Sequence, residues 1–173
     1  MGAGTIIATG IAIILLIITG YILIGGVLST ARTVIMAQKS AAEQDAERIH
    51  TQLEILNAST NNGTHQTFIE AENTGSEVVG NFGNMEVYLL QDGTPDGTPY
   101  MYMNQSGPFY WTYSICSDGL PYVNCKDLVN PGLLDPGEVV NITVLYDQMK
   151  GNATWVKLTT ANGVSASRYT VFT

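Results

Sequence analysis

The chain has 173 residues, a formal net charge of −8 and only 13% charged side chains. Its seven basic residues, Arg32, Lys39, Arg48, Lys126, Lys150, Lys157 and Arg168, are scattered with no two adjacent. They form no patch that could neutralise a run of phosphates, which argues against nucleic acid as a partner.

No charged side chain precedes Arg32, and residues 5–28 are almost wholly apolar, with Ile13, Ile14, Leu15, Leu16, Ile17 and Ile18 at their centre. About 24 residues at 1.5 Å rise give roughly 36 Å of helix, enough to cross a hydrocarbon core of about 30 Å. A cleavable signal peptide has a basic n-region, a shorter apolar run and a small-residue cleavage site. This pattern fits an uncleaved anchor better, so residues 1–28 are expected to form a transmembrane helix meeting lipid through residues 5–28. A segment of this kind ties the chain to a membrane or to other copies of itself, so a homo-oligomer is expected.

No proline occurs before Pro95, and no glycine falls between Gly26 and Gly63. The helix is therefore expected to continue as a stalk over residues 29–56. Within it Ala42, Ala46, Ile49, Leu53 and Leu56 recur at spacings of 4, 3, 4 and 3, a narrow apolar face suited to another helix or to the chain's own head domain. The polar, glycine-containing stretch 57–64 is expected to end the helix and act as a hinge.

Beyond it, short runs rich in β-branched and aromatic residues alternate with turn residues. They predict strands near 67–72, 77–79, 85–91, 100–103, 110–115, 139–146, 154–160 and 167–172. Strands without helices predict an all-β antiparallel β-sandwich over residues 65–173. Val140, Ile142, Val144 and Tyr146 alternate with Asn141 and Thr143, as a strand with one buried face requires.

Asn-x-Ser/Thr occurs at Asn57, Asn62, Asn104, Asn141 and Asn152, each beyond the apolar segment. Together these sequons predict a glycosylated, outward-facing domain; Asn141 is the exception in kind, because it reads as strand interior. Cys116 and Cys125 lie in one turn-rich loop and suit a disulfide outside the cytosol, the alternative being two buried thiols. They have no Cys or His neighbours to complete a metal tetrahedron. Arg32 and Lys39 follow the span while none precedes it, which under the positive-inside rule alone places the head in the cytoplasm. Sequons and cysteines point outward, and the extracytoplasmic placement is the one carried forward.

No catalytic constellation is legible. His50 and His65 sit beside no nucleophile, and no phosphate loop, His-Glu-x-x-His or paired-cysteine signature occurs. No enzyme activity, cofactor, metal or small-molecule substrate is expected. Asp92 and Asp96 lie four apart in a glycine-rich loop that could offer oxygens to Ca²⁺, although ordinary turn chemistry explains them. Tyr100, Tyr102, Phe109, Tyr110, Trp111, Tyr113 and Tyr122 cluster around the cysteine loop. Since residues 110–113 place aromatics on both strand faces, Tyr110, Trp111 and Tyr113 are candidate partner contacts.

A Met-Gly start running into a long apolar helix, a stalk, Asn-Thr-Gly-Ser at 73–76, Leu-Asp-Pro-Gly-Glu at 134–138 and Asn-Gly-Val-Ser-Ala-Ser at 162–167 together resemble the archaeal archaellin superfamily. Within it the resemblance is to the membrane-anchored accessory proteins of the FlaF/FlaG type. It implies a type IV pilin-like helix, an immunoglobulin-like β-sandwich between an archaeal cell membrane and the S-layer, and a stator role in the archaellum through contact with the S-layer glycoprotein or archaellum components. Precursors of filament subunits carry a basic leader before the apolar helix, and none stands before residue 32, which favours the accessory protein. A mature archaellin or pilin-like subunit of an extracellular filament, with the helix in the filament core, is the alternative. An anchored binding module or adhesin is a third.

Overall fold

A computed structural model describes residues 2–61, 63–94, 96–104, 108–117, 126–147 and 150–172. The chain divides into two compact units, Met1–Asp45 and Ala46–Thr173.

The first unit is carried by helix α1, Ala3–His50, whose last turn belongs to the second unit. None of its residues is buried within the chain. By length and composition its apolar stretch is able to cross a membrane, with a mean hydropathy of 2.8 over 18 residues. The threonines of that stretch hide their donors in the helix itself. Thr9 Oγ1 donates to Thr5 O at 2.8 Å and Thr19 Oγ1 to Leu15 O at 2.9 Å, so neither hydroxyl presents an unmet hydrogen bond to an apolar surrounding.

The second unit is a sandwich of nine strands among the described residues: β1 Leu53–Asn61, β2 Gln66–Asn73, β3 Glu86–Gln91, β4 Tyr100–Asn104, β5 Tyr110–Cys116, β6 Val139–Leu145, β7 Ala153–Thr159, β8 Ser165–Tyr169 and β9 Val171–Phe172. A 3-10 turn at Phe82–Asn84 precedes β3. The order is β8-β7-β3-β4-β5-β6-β2-β1-β9. Most pairings are antiparallel; β4 with β5 and β1 with β9 are short parallel contacts of two residues each. Strand β4 links the two sheets on one side. On the other, the run β8–β9 leaves β7 and joins β1, so the sandwich comes close to closing into a barrel. Arg168 on β8 donates from Nη1 to Ile55 O on β1 at 2.7 Å, tying the two strands together.

Period-two alternation builds the core. Ile69 and Ala71 on β2, Val87 and Leu89 on β3, Val140, Ile142 and Val144 on β6, and Val156 and Leu158 on β7 are all fully buried. Leu134 and Trp111 join them.

The stalk ends earlier than its spacing suggests. The helix stops at His50, and residues 53–56, expected as stalk, begin β1; residues 57–61, expected as hinge, complete it. Leu53 and Ile55 satisfy strand alternation as well as Leu53 and Leu56 satisfy helical spacing, and pairing with β2 from Leu53↔Asn73 to Asn61↔Gln66 decides the competition. A bulge between Ile55 and Asn57 leaves both Leu56 and Asn57 outward and returns Ala58 to the core. The 77–79 run is a single bridge, Val79 to Leu134, rather than a strand.

Candidate functional site

Three short motifs separated by up to ninety residues of sequence meet where α1 ends. The ending is local at first: Thr51 N and Thr51 Oγ1 both donate to Glu47 O, at 3.0 and 2.7 Å. The next carbonyls would be orphaned at the helix terminus. The Asn-Thr-Gly-Ser turn supplies their donors, with Ser76 N on His50 O at 2.9 Å and Thr74 N on Gln52 O at 2.9 Å. Gly75 is required by proximity, since a Cβ there would stand 2.4 Å from both Gln52 N and His50 O.

Asn73, fully buried, ties this turn to the second motif. Its Nδ2 donates to Glu77 O at 2.8 Å and Leu134 O at 3.0 Å, and its backbone N–H donates to Glu138 O at 3.0 Å. Leu-Asp-Pro-Gly-Glu forms a tight turn closed by Glu138 N on Asp135 O at 3.0 Å, with Gly137 at φ 83. The buried Glu138 carboxylate accepts from Asp135 N at 2.9 Å and from the Ser117 hydroxyl. Ser117 in turn carries the base of the cysteine loop, accepting from Leu128 N at 2.9 Å.

The third motif closes the joint. Asn162 Nδ2 donates to Thr51 Oγ1 at 2.8 Å, and Thr160 with Gly163 forms the hairpin turn that holds it there. Beside the third motif lies a cleft of about 220 Å³ lined by Glu47, Val78 to Asn81 and Thr160 to Asn162. Its walls offer the Glu47 carboxylate, the Asn81 and Asn162 amides and the Thr160 hydroxyl. Chemically this arrangement can bind backbone and fix a helix end.

The aromatic candidates separate. Trp111 is fully buried in the core, which corrects its assignment as a partner contact: strand phase points it inward with Ile115, opposite Val144. Tyr113 is half-buried, stacked on Phe82 with centroids 4.3 Å apart and planes at 16°. Only Tyr110, 37% exposed, faces outward among the three.

The sequons separate as well. Asn141 is 5% exposed, and its Nδ2 donates to Cys116 Sγ at 2.8 Å on the outer face of the sheet. The atom that would carry a glycan is enclosed, which corrects its assignment. Asn57 is exposed at the β1 bulge, and Asn152 is half-buried at the end of the sandwich remote from Thr51. Asn62, Cys125 and the side chain of Asn104 lie outside the described residues. Asp92 Oδ1 accepts from Asn152 N at 2.7 Å, so this carboxylate works as a turn acceptor, while Asp96 is exposed.

A helix whose last turn is built into a β-sandwich through backbone hydrogen bonds defines a structural class of protein. The chain belongs to the archaeal-type flagellin family, whose model matches residues 2–169, and is accordingly no enzyme. An "Uncharacterized protein" of Archaeoglobus fulgidus is 26% identical over 158 residues, covering 91% of this chain and 88% of that one. Among solved structures, the archaellum periplasmic stator protein FlaG from Sulfolobus acidocaldarius is 22% identical, with 68% of this chain and 97% of that one covered and a TM-score of 0.47. A chain of the FlaF and FlaG stator complex from the same organism gives 22%, 68%, 87% and 0.47 for the same measures.

Sequence reasoning identified all three motifs one by one but not their convergence. The signal available was their residue types: each pairs an Asx or Gly turn with a polar side chain able to reach backbone.

Proposed function

We propose that this protein is a membrane-anchored archaellum accessory protein of the FlaF/FlaG type, which transmits force between the bilayer and the cell envelope without generating it. The observation that carries the reading is the joint itself. The last turn of α1 is held by Ser76, Asn162 and, through Gln52, Thr74 and Gly75, so a pull on this end of the helix is passed into backbone hydrogen bonds of the sandwich. Family membership supports the setting, and the uncharged segment 5–28 supports the anchor. The head lies outside the membrane, where it docks to the S-layer glycoprotein or to archaellum components. Asn57 and Asn152 carry glycans there, and Cys116 pairs with Cys125.

The family name itself favours a second reading, a filament subunit whose apolar helix packs against its own copies. The adhesin reading loses its motive with Trp111, which stands in the core. Fractionating native cells into membranes and sheared filaments, followed by quantitative mass spectrometry of each, separates the first two. Recovery in membranes at far below filament-subunit abundance supports the accessory protein. Recovery as a major component of the filaments replaces it with the subunit.

A further inference from the structure

The two outer faces of the sandwich differ in chemistry. Strand register sets Leu90, Trp155 and Tyr169 in one row across β3, β7 and β8, and Tyr88 beside Met101 in the next, with Met103 two residues further along β4. The alternate phase of β3 and β7 is the buried one, held by Val87, Leu89, Val156 and Leu158, so these rows point away from the core. None of the six side chains is buried, and Tyr169, Met103 and Met101 are 76%, 55% and 49% exposed. Two charged side chains stand among them, Lys157 beside Tyr88 and Glu86 two residues before it, one of each sign. The outward positions of β1 and β2 hold Glu54 directly opposite Glu72, with Glu70 two residues along, and no basic residue. Carboxylates opposed across a ladder repel one another.

We propose that a second copy of this chain covers the β8-β7-β3-β4 face, the two heads pairing sheet to sheet. Two chains that each carry a net charge of −8 repel, so they meet best where charge is locally balanced. The face with Lys157 and Glu86 is balanced, whereas the β1–β2 face would set three carboxylates against three. In a two-fold pair a surface meets its own copy. An axis lying in the interface and passing beside Tyr88 and Met101 sets Lys157 of each copy near Glu86 of the other, so the same ion pair forms twice. Sheets stacked about 10 Å apart leave room for side chains to interleave, and flexible methionines adapt to the rings they meet. This contact lies in the head and is separate from any packing of α1.

The test is photo-crosslinking of the purified full chain in detergent, with p-benzoylphenylalanine in place of Met101 or, as the control, of Asn57 on the acidic face. Ultraviolet light should trap a dimer from position 101 and not from position 57. Digestion and mass spectrometry should then place the crosslink within residues 86–103 or 155–169 of the second copy. Lys157→Glu leaves only negative charge on the face, and like charges brought together across an interface are strongly unfavourable; the dimer yield should fall at least tenfold. Adding Glu86→Lys should restore it to within twofold, which a misfolded variant would not do. No dimer from position 101, an equal yield from position 57, crosslinks confined to α1, or a yield unmoved by Lys157→Glu would each overturn the pairing. The purified chain is assayed, so the outcome is independent of whether native protein is recovered with membranes or with filaments.

Discussion

Asn162 Nδ2 donates to Thr51 Oγ1 at 2.8 Å, joining residues 111 positions apart at the end of a helix whose own carbonyl, on Glu47, accepts from the same hydroxyl. Thr51 thus serves both as helix terminator and as attachment point. The chain on either side of Thr51 is also held through its main chain, by Ser76 at His50 and by Thr74 and Gly75 at Gln52. Side-chain and backbone ties thus meet residues 50–52 from two turns of the sandwich.

Gly75 is the most sensitive point of that joint. Gly75→Ala places a methyl 2.4 Å from two backbone atoms, and backbone cannot move aside as a flexible side chain can. The expected cost is about 2 to 4 kcal/mol, from overpacking and lost hydrogen bonds together. Gly83→Ala, whose Cβ would meet nothing nearer than 3.9 Å, should be close to neutral. Urea unfolding of both variants decides the matter, and equal midpoints would contradict the joint.

Trp111 and Tyr110, adjacent on β5, should behave oppositely. Trp111 is fully buried, so Trp111→Ala is expected to cost about 3 to 5 kcal/mol as a cavity. Tyr110→Ala, at a position 37% exposed, should cost less than about 1 kcal/mol. If head contacts with a partner are measured in parallel, a Tyr110 effect would report on the surface and a Trp111 effect on folding. Comparable stability losses would mean that the phase of β5 has been misassigned.

Asn141 should carry no glycan, although it sits in a sequon. Its amide nitrogen is committed to Cys116 Sγ and is shielded from solvent, and a sugar there would have to displace the outer face of the sheet. Glycopeptide mass spectrometry of native protein is expected to find Asn57 and Asn152 occupied and Asn141 bare. Asn141→Gln, which preserves the sequence length but misplaces the amide, should lower stability by about 1 to 2 kcal/mol.

The division between what the sequence told and what it withheld is physical. The apolar segment and the strands β2 to β7 were legible because periodicity is a local property of residues such as Val140, Ile142 and Val144. The end of the helix was not: Ile49, Leu53 and Leu56 keep helical spacing, and only pairing with β2 makes Leu53 and Ile55 a strand. The phase of Trp111 and the enclosure of Asn141 likewise depend on what lies across the sheet. The joint was withheld for the same reason, since nothing in residues 73–76 names Gln52 as the partner.

Tyr102 makes the stability of the head depend on alkaline pH in a defined window. Its ring is buried, its hydroxyl donates to Gln91 Oε1 at 2.6 Å, and burial pushes its phenol up from 10.0 to about 12. The folded state therefore keeps a proton that the unfolded state releases. Below pH 10 both states hold it and the contribution is fully present; as pH rises from 10 to about 12 the unfolded state is increasingly favoured, and beyond that the loss levels off. Tyr146 shifts in the same direction, also by burial, and adds to the slope. The loss through Tyr102 alone is expected to be about 2 to 3 kcal/mol. Tyr102→Phe removes the titrating group at a cost of about 1 kcal/mol, because Gln91 Oε1 loses its donor. Urea midpoints measured every half unit between pH 9 and 12 should therefore fall less steeply in the variant than in the parent, and parallel curves would show that Tyr102 titrates normally.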